Sequence, residues 1–147
     1  MGAKAYYYFV PYQPDFETAL QLLRETEFNA GRYFPAVSMP DFPITPNSKS
    51  PGAQHSNISK AKKAAKESGT ASILDLESIS YDDVYGVARL LSDKEIIKYF
   101  AIEKPTRKII ENRNSLLENI DRGKGMCTIV YENNFPNELF FAGYFFD

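Results

Sequence analysis

The chain has 147 residues and a mass of 16.7 kDa, with 44% hydrophobic and 24% charged residues. These proportions are near the averages for globular proteins, so they exclude a collagen-like or largely disordered chain, and the length predicts one domain spanning residues 1–147. The formal charge of −2 provides no overall positive field that would concentrate nucleic acid or attract the chain to an anionic membrane.

The counts of cysteine and histidine exclude several kinds of site. Cys127 and His55 are each the single residue of their type, so the chain has neither an internal disulfide nor a zinc site built from these residues alone. The N-terminal segment has no long apolar stretch before Pro11, and no run of apolar residues approaches the length of a membrane span. We therefore expect a cytoplasmic protein that does not enter the membrane.

The first predicted elements are a strand and a helix. Residues 5–11 are rich in tyrosine, phenylalanine and valine on both alternating faces, which predicts an inner strand covered on both sides. An amphipathic helix is predicted from Pro14 to near Gly31. Its apolar stripe comprises Phe16, Ala19, Leu20 and Leu23.

A proline-rich loop at 33–55 follows, because its prolines recur too often for a helix or an inner strand. Loops of this length usually either bind something or are disordered. Ser56 or Asn57 then caps a short helix over 58–68 that ends at Gly69. This helix carries Lys60, Lys62, Lys63 and Lys66.

The second half of the chain mixes strands and helices. Residues 70–79 favour a strand, with a short helix as the alternative, and residues 84–91 fit either state. Ser92 and Glu95 form a capping box that predicts a helix over 93–100.

A further helix is predicted from Pro105 to Gly123, and the chain closes in a hairpin with strands at 126–132 and 139–146, the last of them central or covered. The predicted fold is α+β, with a small mixed or antiparallel sheet of three to four strands and three to four helices.

The candidate ligand site centres on His55, because any histidine-dependent chemistry must use it. His55 ends the proline-rich loop next to the predicted helix N-terminus at Ser56, where free backbone N–H groups favour an anion such as a phosphate or carboxylate. The alternative interpretation is a partly exposed loop residue beside a solvated helix. The candidate binding residues are His55, Ser56, Asn57, Arg32, Tyr33 and Lys60.

Asp75 and Glu77 are the candidate metal ligands, since two positions apart on a strand they would share one face. They complete no catalytic signature, and solvation of a strand end explains them equally well. We therefore predict no bound metal or cofactor, and Cys127 is interpreted as a core residue.

Three segments resemble a group of small bacterial proteins that have no established activity. They are Ala-Gly-Arg-Tyr-Phe-Pro at 30–35, Ser-Ile-Leu-Asp-Leu-Glu at 72–77 and Phe-Phe-Ala-Gly-Tyr-Phe-Phe-Asp at 140–147. The resemblance implies an intact bacterial cytosolic domain and transfers no catalytic residue.

The leading hypothesis is a binding or regulatory module that contacts another protein, or a second copy of itself. It rests on the 10 tyrosines and 11 phenylalanines, the long loop and the lack of a complete catalytic set, which favours a binding protein over an enzyme. The alternative is a small enzyme or ligand-binding domain that recognises an anionic molecule near His55. A third hypothesis, nucleic-acid binding through the lysine-rich helix, is disfavoured by the acidic chain.

Overall fold

One mixed sheet of five strands organises the protein in the residues that the computed structural model describes, 5–37, 50–112 and 120–144. The strands are β1 (Ala5–Pro11), β2 (Ser78–Ser80), β3 (Val87–Leu90), β4 (Gly125–Glu132) and β5 (Phe135–Tyr144). Their order in the sheet is β1-β5-β4-β3-β2. The pairs β1–β5 and β5–β4 are antiparallel, whereas β4–β3 and β3–β2 are parallel.

Four α-helices lie in the described residues: α1 (Phe16–Ala30), α2 (Ile58–Ala65), α3 (Asp93–Phe100) and α4 (Arg107–Glu111). Single 3-10 turns occupy Lys66–Ser68 and Ile73–Asp75. The predicted first helix is confirmed, but it begins at Phe16 and not at Pro14, because Asp15 is the N-cap and its side chain accepts from Thr18 N. It ends at Gly31 in the left-handed conformation. Within the described residues, no helix combines the length and apolarity needed to cross a bilayer.

Two hydrophobic clusters cover opposite faces of the sheet. The first face packs against α1, α2 and the 3-10 turn at Ile73–Asp75, and the second packs against α3 and α4. Tyr6 and Tyr8 of β1 belong to the first cluster, while Tyr7 and Phe9 contact the second. The strand is therefore covered on both faces, as predicted, but it lies at the edge of the sheet. Aromatic residues on both faces of a strand indicate that other elements pack above and below the sheet. They do not indicate whether the strand has a neighbour on each side within the sheet.

The α+β class is confirmed, but the sheet has five strands and not three to four. The additional strand is β3, which lies within residues 84–91, where the sequence fits either a helix or a strand. Residues 70–79 form a buried 3-10 turn and the three-residue β2 instead of one strand. Polar side chains there bond to local backbone N–H groups: Ser72 Oγ accepts from Leu74 N at 3.3 Å, and Asp75 Oδ1 accepts from Thr70 N at 2.8 Å. Such bonds compete with a strand ladder.

The other elements largely follow the predictions. The capping box of α3 is present, and α2 continues into a 3-10 turn that ends at Gly69. The C-terminal hairpin is confirmed, with Asn133 and Asn134 at φ of 52° and 67° in its turn, and β5 is central between β1 and β4. The predicted helix at 105–123 begins with α4, which Thr106 caps. Two parts of the predicted segments lie outside the described residues: 113–119 of that helix and 38–49 of the proline-rich loop.

Candidate functional site

The end of α1 positions the first half of the candidate ligand site. Beyond Gly31, the fully buried ring of Tyr33 stacks on Phe28 with the ring centroids 5.8 Å apart. The chain returns over this helix end: Gly52 N and Ser50 Oγ both donate to the carbonyl of Ala30 at 2.9 Å. These two bonds hold the segment that carries His55 beside Tyr33.

Tyr33 and His55 form a direct hydrogen bond of 2.7 Å between the phenol oxygen and Nδ1 of the half-buried imidazole. The phenol oxygen also accepts from Gln54 N at 3.3 Å. Burial raises the pKa of Tyr33, so the phenol keeps its proton and can donate it to Nδ1. When the phenol donates to Nδ1 and His55 is neutral, the ring proton lies on Nε2.

Three more of the candidate ligand residues lie at the start of α2. Asn57, not Ser56, caps α2, because Asn57 Oδ1 accepts from Lys60 N at 2.9 Å. The side chains of Ser56 and Lys60 are exposed. The structure thus brings His55 and Tyr33 into contact and joins Asn57 to Lys60 through the helix cap.

Arg32 is committed to a buried ion pair with Glu27. Its Nε and Nη2 donate to the two carboxylate oxygens at 2.9 and 2.6 Å, and this hydrogen-bonded pairing raises the pKa of Arg32. Glu27 is only 1% exposed. The sequence analysis missed this pair, although Glu27 continues the buried stripe of Leu20 and Leu23 along α1. A carboxylate at such a position needs a cationic partner.

Asp75 lies in a second buried polar cluster, with Thr70 and Ser72. Its Oδ1 accepts from Thr70 Oγ1 at 2.7 Å as well as from the Thr70 backbone, and Thr70 Oγ1 lies 2.9 Å from Ser72 Oγ. Burial raises the pKa of Asp75, and the hydrogen bonds from Thr70 oppose this shift.

Asp75 and Glu77 do not form the predicted pair on one strand face. Asp75 ends a 3-10 turn with its carboxylate already bonded, whereas Glu77 is mostly exposed and pairs with Lys62. This hydrogen bond to Lys62 lowers the pKa of Glu77. Among the described residues, no group of three or more histidine, cysteine, aspartate or glutamate side chains is placed to hold a metal ion.

A cleft of about 380 Å³ separates the end of α2 from the loop at 81–86, which we call the tyrosine loop. The tyrosine loop joins the parallel strands β2 and β3 through only six residues, where a dozen or more are usual. The cleft is lined by Lys62, Lys66, Glu67, Gly69, Asp75, Glu77, Tyr85 and Gly86.

The tyrosine loop presents large side chains to solvent from a fixed backbone. Tyr81, Val84 and Tyr85 are 70%, 48% and 67% exposed. Gly86 anchors the end of the loop, because its carbonyl accepts from Glu77 N at 2.7 Å and its N–H donates to Gly123 O at 3.0 Å.

The tyrosine loop itself is acidic. Asp82 and Asp83 are its two charged residues, and both are exposed. Lys124 Nζ lies 3.4 Å from a carboxylate oxygen of Asp83, 3.6 Å from one of Asp121 and 5.4 Å from the ring centroid of Tyr85. Arg89 lines a pocket with Asp83, Asp121 and Lys124, so basic side chains lie beside the loop but not within it.

No protein-family model matches the chain, and no curated protein or solved structure is significantly similar to it. Two arrangements remain as a basis for function. They are the hydrogen-bonded pair of Tyr33 and His55 and the exposed tyrosine loop with its two aspartates.

Proposed function

We propose that this protein is a binding module that contacts a partner protein through the tyrosine loop. One observation carries the proposal: three of the seven large hydrophobic side chains that are exposed in the described residues lie in this six-residue loop. The other four lie on α1, around α3 and on β5. Tyrosine is enriched at protein interfaces because its ring buries a large area while its hydroxyl keeps a polar contact.

The anchoring of the tyrosine loop supports this role. Gly86 is bonded to Glu77 on one side and to Gly123 on the other, and Asp82 N donates to Ser80 Oγ at 3.0 Å. A loop that is already ordered loses less conformational entropy on binding than a mobile one. Its aromatic side chains can therefore contribute more of their burial energy to affinity.

The charges of the tyrosine loop favour a basic partner. Asp82 and Asp83 are exposed, and the loop contains no basic residue. Arginine and lysine side chains could pair with the carboxylates and stack on the tyrosine rings. We infer that the bound segment of the partner is rich in arginine or lysine.

Selection from a random peptide library displayed on phage tests this proposal. We expect enriched peptides to be basic, and their synthetic versions to bind more weakly as salt increases. The double variant Tyr81→Ser, Tyr85→Ser should lose about tenfold or more in affinity, as expected for interface tyrosines. Phe135→Ser is the matched control, because Phe135 is 74% exposed on β5 and should leave binding unchanged. Peptides that bind the double variant as tightly as the wild type would contradict the proposal.

A second candidate function is recognition of a small anion by His55, and the hydrogen bond to Tyr33 favours it. With Nδ1 accepting from Tyr33, the Nε2–H group of the neutral ring can donate to a phosphate or carboxylate oxygen. A thermal-shift screen of phosphorylated metabolites and small carboxylates tests this function, because a ligand at about 100 times its dissociation constant adds about 2.7 kcal/mol of stability. The shift should disappear in His55→Ala, and a shift that survives this substitution rules out His55 as the binding residue.

A further inference from the structure

The outer edge of β1 carries backbone groups that point away from the sheet. Tyr144 N donates to Lys124 O at 3.2 Å, so the backbone of Tyr144 bonds towards β4. Because successive residues of a strand bond to opposite sides, the backbone of Gly143 bonds towards β1, where its partner is Tyr6. Tyr12 N donates to Asn137 O at 3.1 Å and continues the same alternation beyond the strand. The even-numbered residues of β1 therefore bond to β5, and the N–H and C=O groups of Ala5, Tyr7 and Phe9 face outwards.

Apart from Pro11 at its end, this edge has none of the usual protections against pairing with another strand in the described residues. Within residues 5–37, 50–112 and 120–144, no group bonds to the outward-facing backbone of Ala5, Tyr7 or Phe9. All seven residues of β1, Ala-Tyr-Tyr-Tyr-Phe-Val-Pro, are uncharged, and the β1–β5 register is uninterrupted. Proteins normally protect such edges with charged side chains, bulges or short strands. The opposite edge, β2, is only three residues long.

We propose that two copies of this chain pair through β1 in antiparallel orientation and form one continuous ten-stranded sheet. The twofold axis passes beside Tyr8, so that Tyr7 of one copy lies opposite Phe9 of the other. The two Tyr7–Phe9 pairs each exchange two backbone hydrogen bonds, and Ala5 N–H bonds to the Pro11 carbonyl of the other copy. The ladder thus supplies about six backbone hydrogen bonds, within the 10 ± 5 found at typical interfaces.

Charge and symmetry identify the occupant as a second copy. Antiparallel pairing places β1 against itself, and because the strand is uncharged no like charges meet. The seven-residue β1 matches its own length, whereas the three-residue β2 of another copy could not cover it. Pairing of β1 with β1 closes a dimer, whereas pairing of β1 with β2 would extend into a filament.

The side chains on the second face of the sheet add aromatic contacts to this ladder. The guanidinium of Arg107 lies 4.3 Å from the ring centroid of Phe9 at this edge. In the proposed register the Tyr7 ring of the other copy stands beside that Phe9. Cross-strand aromatic pairs stabilise antiparallel sheets, and Arg107 gains a second ring to contact. This interface is separate from the tyrosine loop, which joins β2 and β3 at the other side of the sheet.

Sedimentation equilibrium of the full chain, combined with residue-resolved amide exchange, tests the proposed dimer. We expect a mass of twice 16.7 kDa that falls to the monomer value on dilution. In the dimer the amides of Tyr7 and Phe9 should exchange slowly, and on dilution only these outward-facing amides of the strand interior should lose protection. A chain that stays monomeric, or a dimer in which both amides exchange freely, overturns the proposal. So does protection that persists in the monomer, because another segment of the same chain would then cover the edge.

Variants distinguish this interface from any other. Tyr7→Lys introduces a charge opposite the second copy and should raise the dimer dissociation constant about tenfold or more. If Tyr7→Lys fails to fold, Ala5→Pro provides a second test of the interface. It removes one outward N–H group at the start of the strand, where proline is tolerated, and should weaken the dimer. Ser78→Lys, on the short β2 edge, is the matched control and should leave the dimer intact. Equal dissociation constants for wild type and the folded β1 variants overturn the proposal.

Discussion

The phenol oxygen of Tyr33 lies 2.7 Å from Nδ1 of His55 and joins a fully buried side chain to the single histidine of the chain. The two residues are 22 positions apart, and the loop between them returns to the end of α1 through Gly52. The hydrogen bond to the buried Tyr33 therefore fixes the orientation of the His55 ring. Substitution of either residue tests how much this bond contributes to holding the loop in place.

Tyr33→Phe should destabilise the protein by about 1 kcal/mol, because it removes the bond to His55 while the ring keeps its packing against Phe28. The measurement is urea denaturation of both proteins. Nitrogen-15 NMR of the imidazole should show the Nε2–H tautomer in the wild type and a mixture in the variant. Tyr81→Phe is the control, since Tyr81 is 70% exposed. An unchanged free energy of unfolding for Tyr33→Phe would show that the bond adds no stability.

Arg32→Met should cost about 3 kcal/mol or more, because it leaves the carboxylate of Glu27 buried without its partner. Replacing both residues, as Glu27→Leu with Arg32→Met, should recover most of this loss. Arg107→Met is the control: Arg107 pairs with Glu111 and Glu138 but is 55% exposed, and its loss should cost less than about 1 kcal/mol. Denaturant unfolding gives all of these differences, and equal losses for the Arg32 and Arg107 variants would contradict the expectation.

Asp75→Asn should change how stability depends on pH. Burial raises the native pKa of Asp75 above its ordinary value of 3.8, so the folded protein holds a proton at a pH where the unfolded chain has released it. This residue therefore contributes stability that falls as pH rises from 3.8 through the raised native pKa. The free energy of unfolding of the wild type minus that of Asp75→Asn should decrease over this interval. Urea titrations at several pH values measure the difference, and an increase with pH would have the wrong sign.

Gly31→Ala should destabilise the fold more than Gly52→Ala. Both glycines have positive φ, 76° and 90°, so alanine at either position costs about 1 to 2 kcal/mol in backbone strain. A Cβ at Gly31 would also lie 2.1 Å from the carbonyl oxygen of Gly52, whereas one at Gly52 meets no atom within 4 Å. The extra loss in Gly31→Ala should come with faster amide exchange at Gln54 as the loop shifts. Equal stabilities of the two variants would show that the loop yields without cost.

The local elements could be predicted because their signals lie within a few residues. The end of α1 at Gly31, the capping box of Ser92 and Glu95 and the asparagine turn of the hairpin all depend on the residues of the cap or turn itself. Sheet order could not be predicted, because β1 pairs with β5 across the whole chain and its aromatic residues fit an edge as well as the centre. The pairing of Arg32 with Glu27, five positions away, could have been predicted from the place of Glu27 on the buried stripe of α1.

The pairing of β1 with β5 has a consequence for how the protein folds. Residue 5 pairs with residue 144, so β1 leaves the ribosome long before its partner β5 has been made. Long-range pairing of this kind raises the contact order and slows folding. Until β5 is available, β1 is an uncharged aromatic segment without its ladder, the type of sequence that aggregates most readily. We therefore expect the yield of folded protein to depend on chaperones that bind β1 before β5 has been made.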